Sequence, residues 1–459
     1  MCERTGCGID IEDTRTKEEL WKKVPMKALP ANERIHNFNE VYLGYSKEEA
    51  VLEARRCMRC KKMLCSETCP IHQDIGGYAT AIAEGDFDRA LKIIIDKNPM
   101  PGSLGRVCAH PCQKACTRGK KGDPMQVMNL KRAADDHGDA KWTKAPSTGK
   151  KIAVIGSGPA GILVASDLAR KGHHVKVFER ERELGGMLRY CIPSYRLPRE
   201  IINKDIQRVR NLGVEFETRV EFDGKGRNVR SLLSEGYDAV FIGIGTYKPK
   251  MMNIPGEGMK GVFHAVPFLV DYHRTGTNPL GKSVAVIGGG NSAMDAVRTA
   301  KRLGVDAFLV YRREREQMPA ADEEIDDCEA EGIHMKLLTN AVEMKGTVCV
   351  DEMTCISMKL GEPDESGRAK PIPIEGSEFK ICAASVIEAV SQEPDTSLID
   401  PKDFKLSKWN TFVVDENGMT SMKGIFAGGD CVNGPSTIVE AMASARKAAD
   451  GIHRYLMQK

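Results

Sequence analysis

Net charge is nearly absent from this sequence. Its 459 residues include 67 Lys and Arg against 64 Asp and Glu, a balance of only +3. Such a small surplus gives no electrostatic footprint for nucleic acid or for an anionic membrane surface. No apolar run approaches the ~20 residues of a bilayer-spanning helix. The N-terminus (Met1-Cys-Glu-Arg-Thr-Gly6) lacks the apolar centre of a signal peptide, and low-complexity tracts are missing too. These absences lead to the expectation of a cytoplasmic protein without a membrane span or a nucleic-acid partner. The remaining composition, 41% hydrophobic and 29% charged, is that of a globular chain long enough for three domains with real cores.

Cysteine is plentiful and unevenly placed. Of 15 cysteines, nine fall in the first 116 residues. Seven of these are Cys57, Cys60, Cys65, Cys69, Cys108, Cys112 and Cys116. In a reducing compartment, clustered cysteines argue for metal or iron–sulfur ligation over disulfides. The row Cys57-x2-Cys60-x4-Cys65-x3-Cys69-Pro70 lets short loops converge on one cubane, while a last cysteine before proline can serve a second cluster. Structural zinc is the competing reading, since it also takes four thiolates. Cys2 and Cys7 are distant in sequence and are read as uninvolved. The later cysteines, among them Cys328 and Cys431, are scattered and read as small buried residues.

Two glycine-rich fingerprints follow. The stretch Lys151-Ile-Ala-Val-Ile predicts a strand, Gly156-Ser-Gly-Pro159-Ala160-Gly161 a phosphate loop, and 160–171 a helix. A second strand, His174–Glu179, completes a βαβ unit. Gly156 makes the turn, Gly158 lets backbone approach a pyrophosphate, and Gly161 lets helix pack on strand. Glu179 is placed to accept hydrogen bonds from a ribose diol. Gly186 and Met187 open a segment, continuing to Pro198, that reads as a loop over a cofactor, with Arg196 as a phosphate or flavin contact. The strand expected over 237–245 ends in Gly245 near a nucleotide. Gly428-Gly429-Asp430 ends another strand, where the acid can take the ribityl hydroxyls of FAD. A helix from about Ser436, capped by Ser436 or Thr437, would aim its positive end at the flavin.

The pattern recurs at Ser283–Ile287, Gly288-Gly-Gly290-Asn291-Ser292-Ala293 and 291–303, with a next strand over 307–311. Here the charge is reversed: Arg312 and Arg313 stand where the first unit has an acid. A guanidinium pair suits a 2′-phosphate, which favours NADP(H) over NAD(H), although the alternating Glu314 and Glu316 also fit a solvated run. No Cys-x-x-Cys occurs in this second unit, which excludes a thioredoxin-reductase-like disulfide reductase.

Together these residues resemble the glutamate synthase small-subunit family, an architecture shared with the N-terminal half of dihydropyrimidine dehydrogenase and the large subunit of ferredoxin:NADP transhydrogenases. The similarity spans roughly 33–456. It is carried by Asn37-Phe-Asn-Glu-Val41, the cysteine row, Gly105-Arg-Val-Cys108, Ile192-Pro-Ser-Tyr-Arg-Leu-Pro198, Tyr311-Arg-Arg-Glu-Arg315 and Gly428-Gly-Asp430. The resemblance implies an α/β fold with two Rossmann-like dinucleotide-binding domains, the nicotinamide domain inserted in the FAD domain, preceded by a mainly α-helical iron–sulfur domain. The implied boundaries are 1–145 for the [4Fe-4S] domain, 146–280 and 385–459 for FAD, and 281–384 for NADP(H). It further implies that Cys57, Cys60, Cys65 and Cys116 hold one [4Fe-4S] cluster and Cys69, Cys108 and Cys112 a second, completed in relatives by Glu or Gln. Lys131 occupies that position here, and a protonated lysine has no lone pair for a metal. Cys191 and Ser391 also stand where relatives carry glycine.

The expected activity is electron transfer between NADPH, FAD and [4Fe-4S] clusters and a partner redox subunit, as in a glutamate synthase small chain within a hetero-oligomer. The alternative is a ferredoxin:NADP transhydrogenase subunit reducing NADP+. No catalytic side chain is assigned, because hydride and electron transfer need positioning and water exclusion, not a protein acid or base.

Overall fold

Residues 13–224, 228–364, 367–400 and 402–458 are described by the computed structural model; Cys2 and Cys7 lie outside them. The N-terminal part is helical, and its helices start where side chains can cap them. Ser46 forms a reciprocal capping box with Glu49 at Lys47–Arg55, while Asp74 and Asp86 accept from the first turns of Ile75–Ala83 and Phe87–Lys97. Pro101 opens Pro101–Val107, and Val127–His137 closes the bundle. Arg56, fully buried, is held by Glu53 at 2.5 Å and donates to the carbonyls of Leu20, Trp21 and Asp123. One charged side chain thus ties three separate chain segments around the cysteine loops.

Thirteen strands carry the argument among the described residues: β1 (Lys151–Ile155), β2 (His174–Glu179), β3 (Glu215–Thr218), β4 (Ala239–Ile242), β5 (Val262–His264), β6 (Ser283–Ile287), β7 (Asp306–Val310), β8 (His334–Lys336), β9 (Thr339–Lys345), β10 (Glu352–Pro363), β11 (Ala369–Cys382), β12 (Ser385–Glu388) and β13 (Ile425–Ala427). The first sheet is parallel, in the order β13-β4-β1-β2-β3. The second is also parallel, in the order β5-β12-β6-β7-β8. Strands β9, β10 and β11 form a separate antiparallel sheet, which the sequence pattern did not announce. In each parallel sheet the strand order reverses beside the strand that precedes a glycine loop: β1 next to β4, and β6 next to β12. That reversal opens the crevice in which doubly wound sheets bind ligands.

The domain boundaries read from sequence shift accordingly. The segment β5 with helix Ala265–Thr275, assigned to the first FAD part, belongs to the second sheet, as does β12, assigned to the second FAD part. The reason is hydrogen bonding: β6 has two edges, and β12 fills the one left open by β7. The boundary near 145 is not a hinge either. Helical-domain residues such as Tyr78, Leu91 and Leu104 share one continuous apolar core with Ile152, Leu163 and Met442. The segment around this boundary lies along that core, with Trp142 Nε1 donating to the Ile95 carbonyl (2.8 Å) and Ala145 N to the Arg170 carbonyl (2.9 Å).

Candidate cofactor and iron–sulfur sites

A long cavity opens at the reversal point of the first sheet. It is lined by Gly156, Gly158, Pro159, Ala160, Glu179, Gly186, Met187 and Gly245, and on the far side by Asp430, Ser436 and Thr437. The glycines divide their work as their spacing suggests. Gly156 has φ +98°, and a β-carbon there would lie 2.5 Å from the Gly243 carbonyl oxygen. At Gly161 a β-carbon would meet the Gly156 carbonyl oxygen at 1.9 Å, so that glycine permits the helix Pro159–Arg170 to press on its own turn. Gly158 differs: a β-carbon there meets nothing within 4 Å. Its absent side chain serves a space in the cavity, not the protein's own packing.

Glu179 is buried, and its Oε2 accepts from Ser157 N (2.9 Å) and Ser157 Oγ (2.5 Å), bonds that fix the carboxylate at the strand end. Thr437 caps Ile438–Met457 in a reciprocal box with Glu440. Ser436, the other expected cap, instead donates to Asp430 Oδ1 at 2.6 Å. Burial pushes Asp430 up to about 6 against the opposing Ser436 bonds. Gly429 lies behind the cavity wall, with φ +79° and its N–H donated to Ser444 Oγ (3.1 Å). Cys191 takes φ −107° and ψ −43°, a conformation open to any residue, so the departure from glycine costs no strain.

Arg196 borders the same cavity, but its guanidinium is already committed. Its Nη1 holds both oxygens of Asp295 (2.7 and 2.8 Å) and its Nε meets Glu324 (2.7 Å), so two of its three nitrogens are engaged by acids while it lines the cavity. These acids belong to the second dinucleotide unit. They continue into a buried network in which Arg298 meets Glu324, Asp327 and Glu331, Arg302 meets Glu331, and Arg34 meets Asp327 and Glu331. Four cations face four anions there. The network joins the helical domain, the loop over the cavity and the second unit, with Tyr195 lying 3.8 Å from Arg302 and 5.0 Å from Arg298.

The second glycine loop meets this cavity through Asn291, Ser292 and Asp295, at the start of helix Asn291–Arg302. Gly290 is that helix's N-cap, and Gly288 has φ +147° with its missing β-carbon 2.6 Å from the Ala389 oxygen. Asn291 Oδ1 accepts from Ala321 N at 3.1 Å. The arginine pair divides. Arg313 is buried, donating to Asp364 (2.5 Å) and to the Ala369 carbonyl (2.8 Å), where it anchors the β10–β11 turn. That removes it from the expected phosphate pair. Arg312 is exposed, and loss of hydration followed by the neighbouring Arg313 charge lowers its pKa against the opposing Asp364 carboxylate.

The cysteines gather in two places. Cys57, Cys60, Cys65 and Cys116 line one apolar-walled cavity with Met63, Ile75 and Leu130. Burial, followed by the neighbouring thiols, raises Cys57 and Cys65, so a cation must compensate if all four ionise. Tetrahedral zinc with Zn–S bonds of ~2.3 Å would require sulfurs roughly 3.8 Å apart. Among the described residues no three cysteine sulfurs lie within 4.8 Å of one another, a spacing wider than that tetrahedron. Cys69, Cys108 and Cys112 form the second group, with Tyr78 among them. Burial pushes Cys112 up to about 12 while the Lys131 ammonium pulls the other way. Lys131 is itself buried, its Nζ 3.5 Å from the Leu104 carbonyl oxygen. This group therefore offers three cysteine sulfurs, with Lys131 beside them in place of a fourth ligand. Cys108 is also part of the wall of the long cavity, with Val107 and Ala109. Sequence reasoning missed that junction, and it missed Tyr247, whose ring lies under Arg180 (4.8 Å) on the cavity wall.

A family model for pyridine nucleotide-disulphide oxidoreductases matches residues 150–445. The chain belongs to this family. A second model, dihydropyrimidine dehydrogenase domain II with its 4Fe-4S cluster, matches residues 34–142. The chain is therefore a flavin- and pyridine-nucleotide-dependent oxidoreductase with an N-terminal 4Fe-4S domain. It is 32% identical to the glutamate synthase [NADPH] small chain of Azospirillum brasilense, covering 94% of each. It is 40% identical to the NADP(+)-dependent formate dehydrogenase subunit beta of Moorella thermoacetica, over 86% of this chain but only 60% of that protein. Among solved structures, Mycobacterium tuberculosis FprA in complex with NADPH superposes with a TM-score of 0.58 at 18% identity, over 68% of this chain and 85% of that one. That likeness concerns the fold. No helix among the described residues is long and apolar enough to cross a membrane.

Proposed function

We propose that this chain is the NADPH-linked electron-transfer subunit of a larger redox assembly, and that it passes electrons between a nicotinamide and a partner subunit through FAD and iron–sulfur clusters. One observation carries the reading: the cavity of the first glycine loop is walled on one side by the second loop and on another by Cys108. Two dinucleotide sites and a cluster ligand thus border a common space. Bound FAD supplies the exchange between electron pairs and single electrons that no side chain offers.

In this reading the first turn of Pro159–Arg170 would hold the pyrophosphate and Glu179 a ribose diol. Asp430, steadied by Ser436, would take the ribityl hydroxyls. The capped end of Ile438–Met457, at Thr437, Ile438 and Ala441 on the cavity wall, would present its positive pole to the ring system. Met187, Ile192 and Leu269 would keep water out. Arg312, and not Arg313, would meet the 2′-phosphate of NADP(H). Cys57, Cys60, Cys65 and Cys116 would bind one [4Fe-4S] cluster, and Cys69, Cys108 and Cys112 a second with three protein ligands.

Relatives named as small or beta subunits support a partner chain. Affinity purification from native extract under anaerobic conditions tests this. Recovery with a glutamine-hydrolysing or dehydrogenase chain supports the reading, whereas a ferredoxin-binding flavoprotein partner would favour the transhydrogenase. A lone, colourless chain would refute both.

A further inference from the structure

A second group of potential ligands stands apart from the cysteines and from the shared cavity. Glu257, His264 and Glu388 each offer one ligand atom, and these atoms all lie within 4.8 Å of one another. The topology builds the group. His264 ends β5 and Glu388 ends β12, and the parallel register sets them directly opposite each other. Glu257 arrives from the turn before β5, where its carboxylate accepts from Met252 N (2.6 Å) and Asn253 N (2.7 Å) and is thereby fixed.

The group is not internally satisfied. Glu388 is 2% exposed, yet no donor group reaches either of its carboxylate oxygens, and its contact with the Glu257 carboxylate needs a proton between them. The buried His264 Nδ1 lacks a hydrogen-bond partner as well and faces Glu388 Oε2 at 3.4 Å. An orphaned buried carboxylate beside a second one costs far more than an ordinary polar contact returns. One shared proton would answer for a single Glu257–Glu388 contact only, leaving the other Glu388 oxygen and the imidazole nitrogen without partners. One divalent ion would collect an atom from all three.

We propose that Glu257, His264 and Glu388 form a binding site for a first-row divalent cation of the zinc or manganese class. Two carboxylates and one imidazole with open positions suit such ions. The His264 side chain is 20% exposed and provides an entry path. The site lies behind the second glycine loop: Glu388 pairs with Ile287, and the next residue's carbonyl, Ala389 O, packs on Gly288. An ion there would tie the Glu257 turn and both strands together next to the nicotinamide loop, without touching the cavity itself.

The test uses the full holoprotein, oxidised, chelator-treated and desalted, titrated with Mn2+ alone. The free aquo ion is counted by room-temperature EPR. The expected result is one saturable Mn2+ per chain, displaced by an equivalent of Zn2+ as the affinity order of divalent ions requires. Glu388→Gln and His264→Gln should each weaken uptake at least tenfold while flavin content stays unchanged. Should neither variant fold, zinc K-edge absorption on the wild-type protein decides: a shell of oxygen and nitrogen without sulfur supports the site. A sulfur shell, no saturable uptake, or equal uptake by wild type and a folded Glu388→Gln variant would each overturn the proposal.

Discussion

Gly158 and Gly161 are three residues apart in one loop, and their replacement by alanine should fail in opposite ways. At Gly158 a β-carbon meets no protein atom within 4 Å, and the backbone sits at φ −70°, which alanine accepts readily. Apoprotein stability should therefore change by less than about 1 kcal/mol. The new methyl group would instead occupy the space through which a pyrophosphate reaches the helix N-terminus. Losing one charge-assisted hydrogen bond costs about 1.5–3 kcal/mol, which raises the Kd for FAD roughly 10- to 150-fold. At Gly161 the β-carbon would overlap a main-chain oxygen at 1.9 Å. Backbone cannot rotate away as a side chain does, so the apoprotein itself should lose upwards of about 1–3 kcal/mol. Flavin fluorescence titration of deflavinated protein measures the first effect, and urea unfolding of the same apoprotein measures the second. Wild-type FAD affinity in Gly158→Ala, with the fold intact, would refute the placement of the phosphates.

Three further outcomes follow from the charges. Arg196→Ala should cost about 3–5 kcal/mol of stability by leaving Asp295 buried and unpaired; an unchanged midpoint with weakened FAD binding would mean that Arg196 serves a phosphate after all. Arg312→Ala should raise the KM for NADPH by about 10- to 150-fold and leave that for NADH little changed, whereas Arg313→Ala should chiefly reduce thermal stability by releasing Asp364. The third concerns His173, whose ring meets His453 at 2.9 Å and Thr148 at 2.6 Å, and which burial and then His453 lower to about 4. Between that value and the ordinary ~6.5 the unfolded chain takes up a proton that the folded chain refuses. Stability from this site is therefore complete above pH ~6.5 and lost on acidification, and His173→Asn should flatten that slope in urea titrations compared at pH 7 and pH 5.5.

How much was legible in the sequence depended on how local each constraint is. The strand–glycine loop–helix units appeared within a residue of their expected ends, because turn geometry, helix packing and cap chemistry are settled over a few neighbouring positions. The cysteine row was legible for the same reason. What sequence reasoning could not see was pairing at a distance. Arg196 is matched with Asp295, and Arg313 with Asp364 just past the end of β10, and nothing in the local pattern says that those guanidinium groups are spoken for. Strand β12 looked like a return to the FAD domain, yet the open edge of β6 captured it. The carboxylate of Glu388 drew no reading from the sequence, since its isolation exists only once β5 lies beside it.

In the proposed function the clusters, the flavin site and the nicotinamide site form one connected electron path. Holoprotein reduced with dithionite, freed of excess reductant and mixed anaerobically with NADP+ tests it most directly, with EPR following the clusters and absorbance following the nicotinamide. The reduced-cluster signal should disappear as NADPH forms, in amounts exceeding what the flavin alone can supply. NADPH formation matching the flavin alone, with the cluster signal persisting, would contradict it.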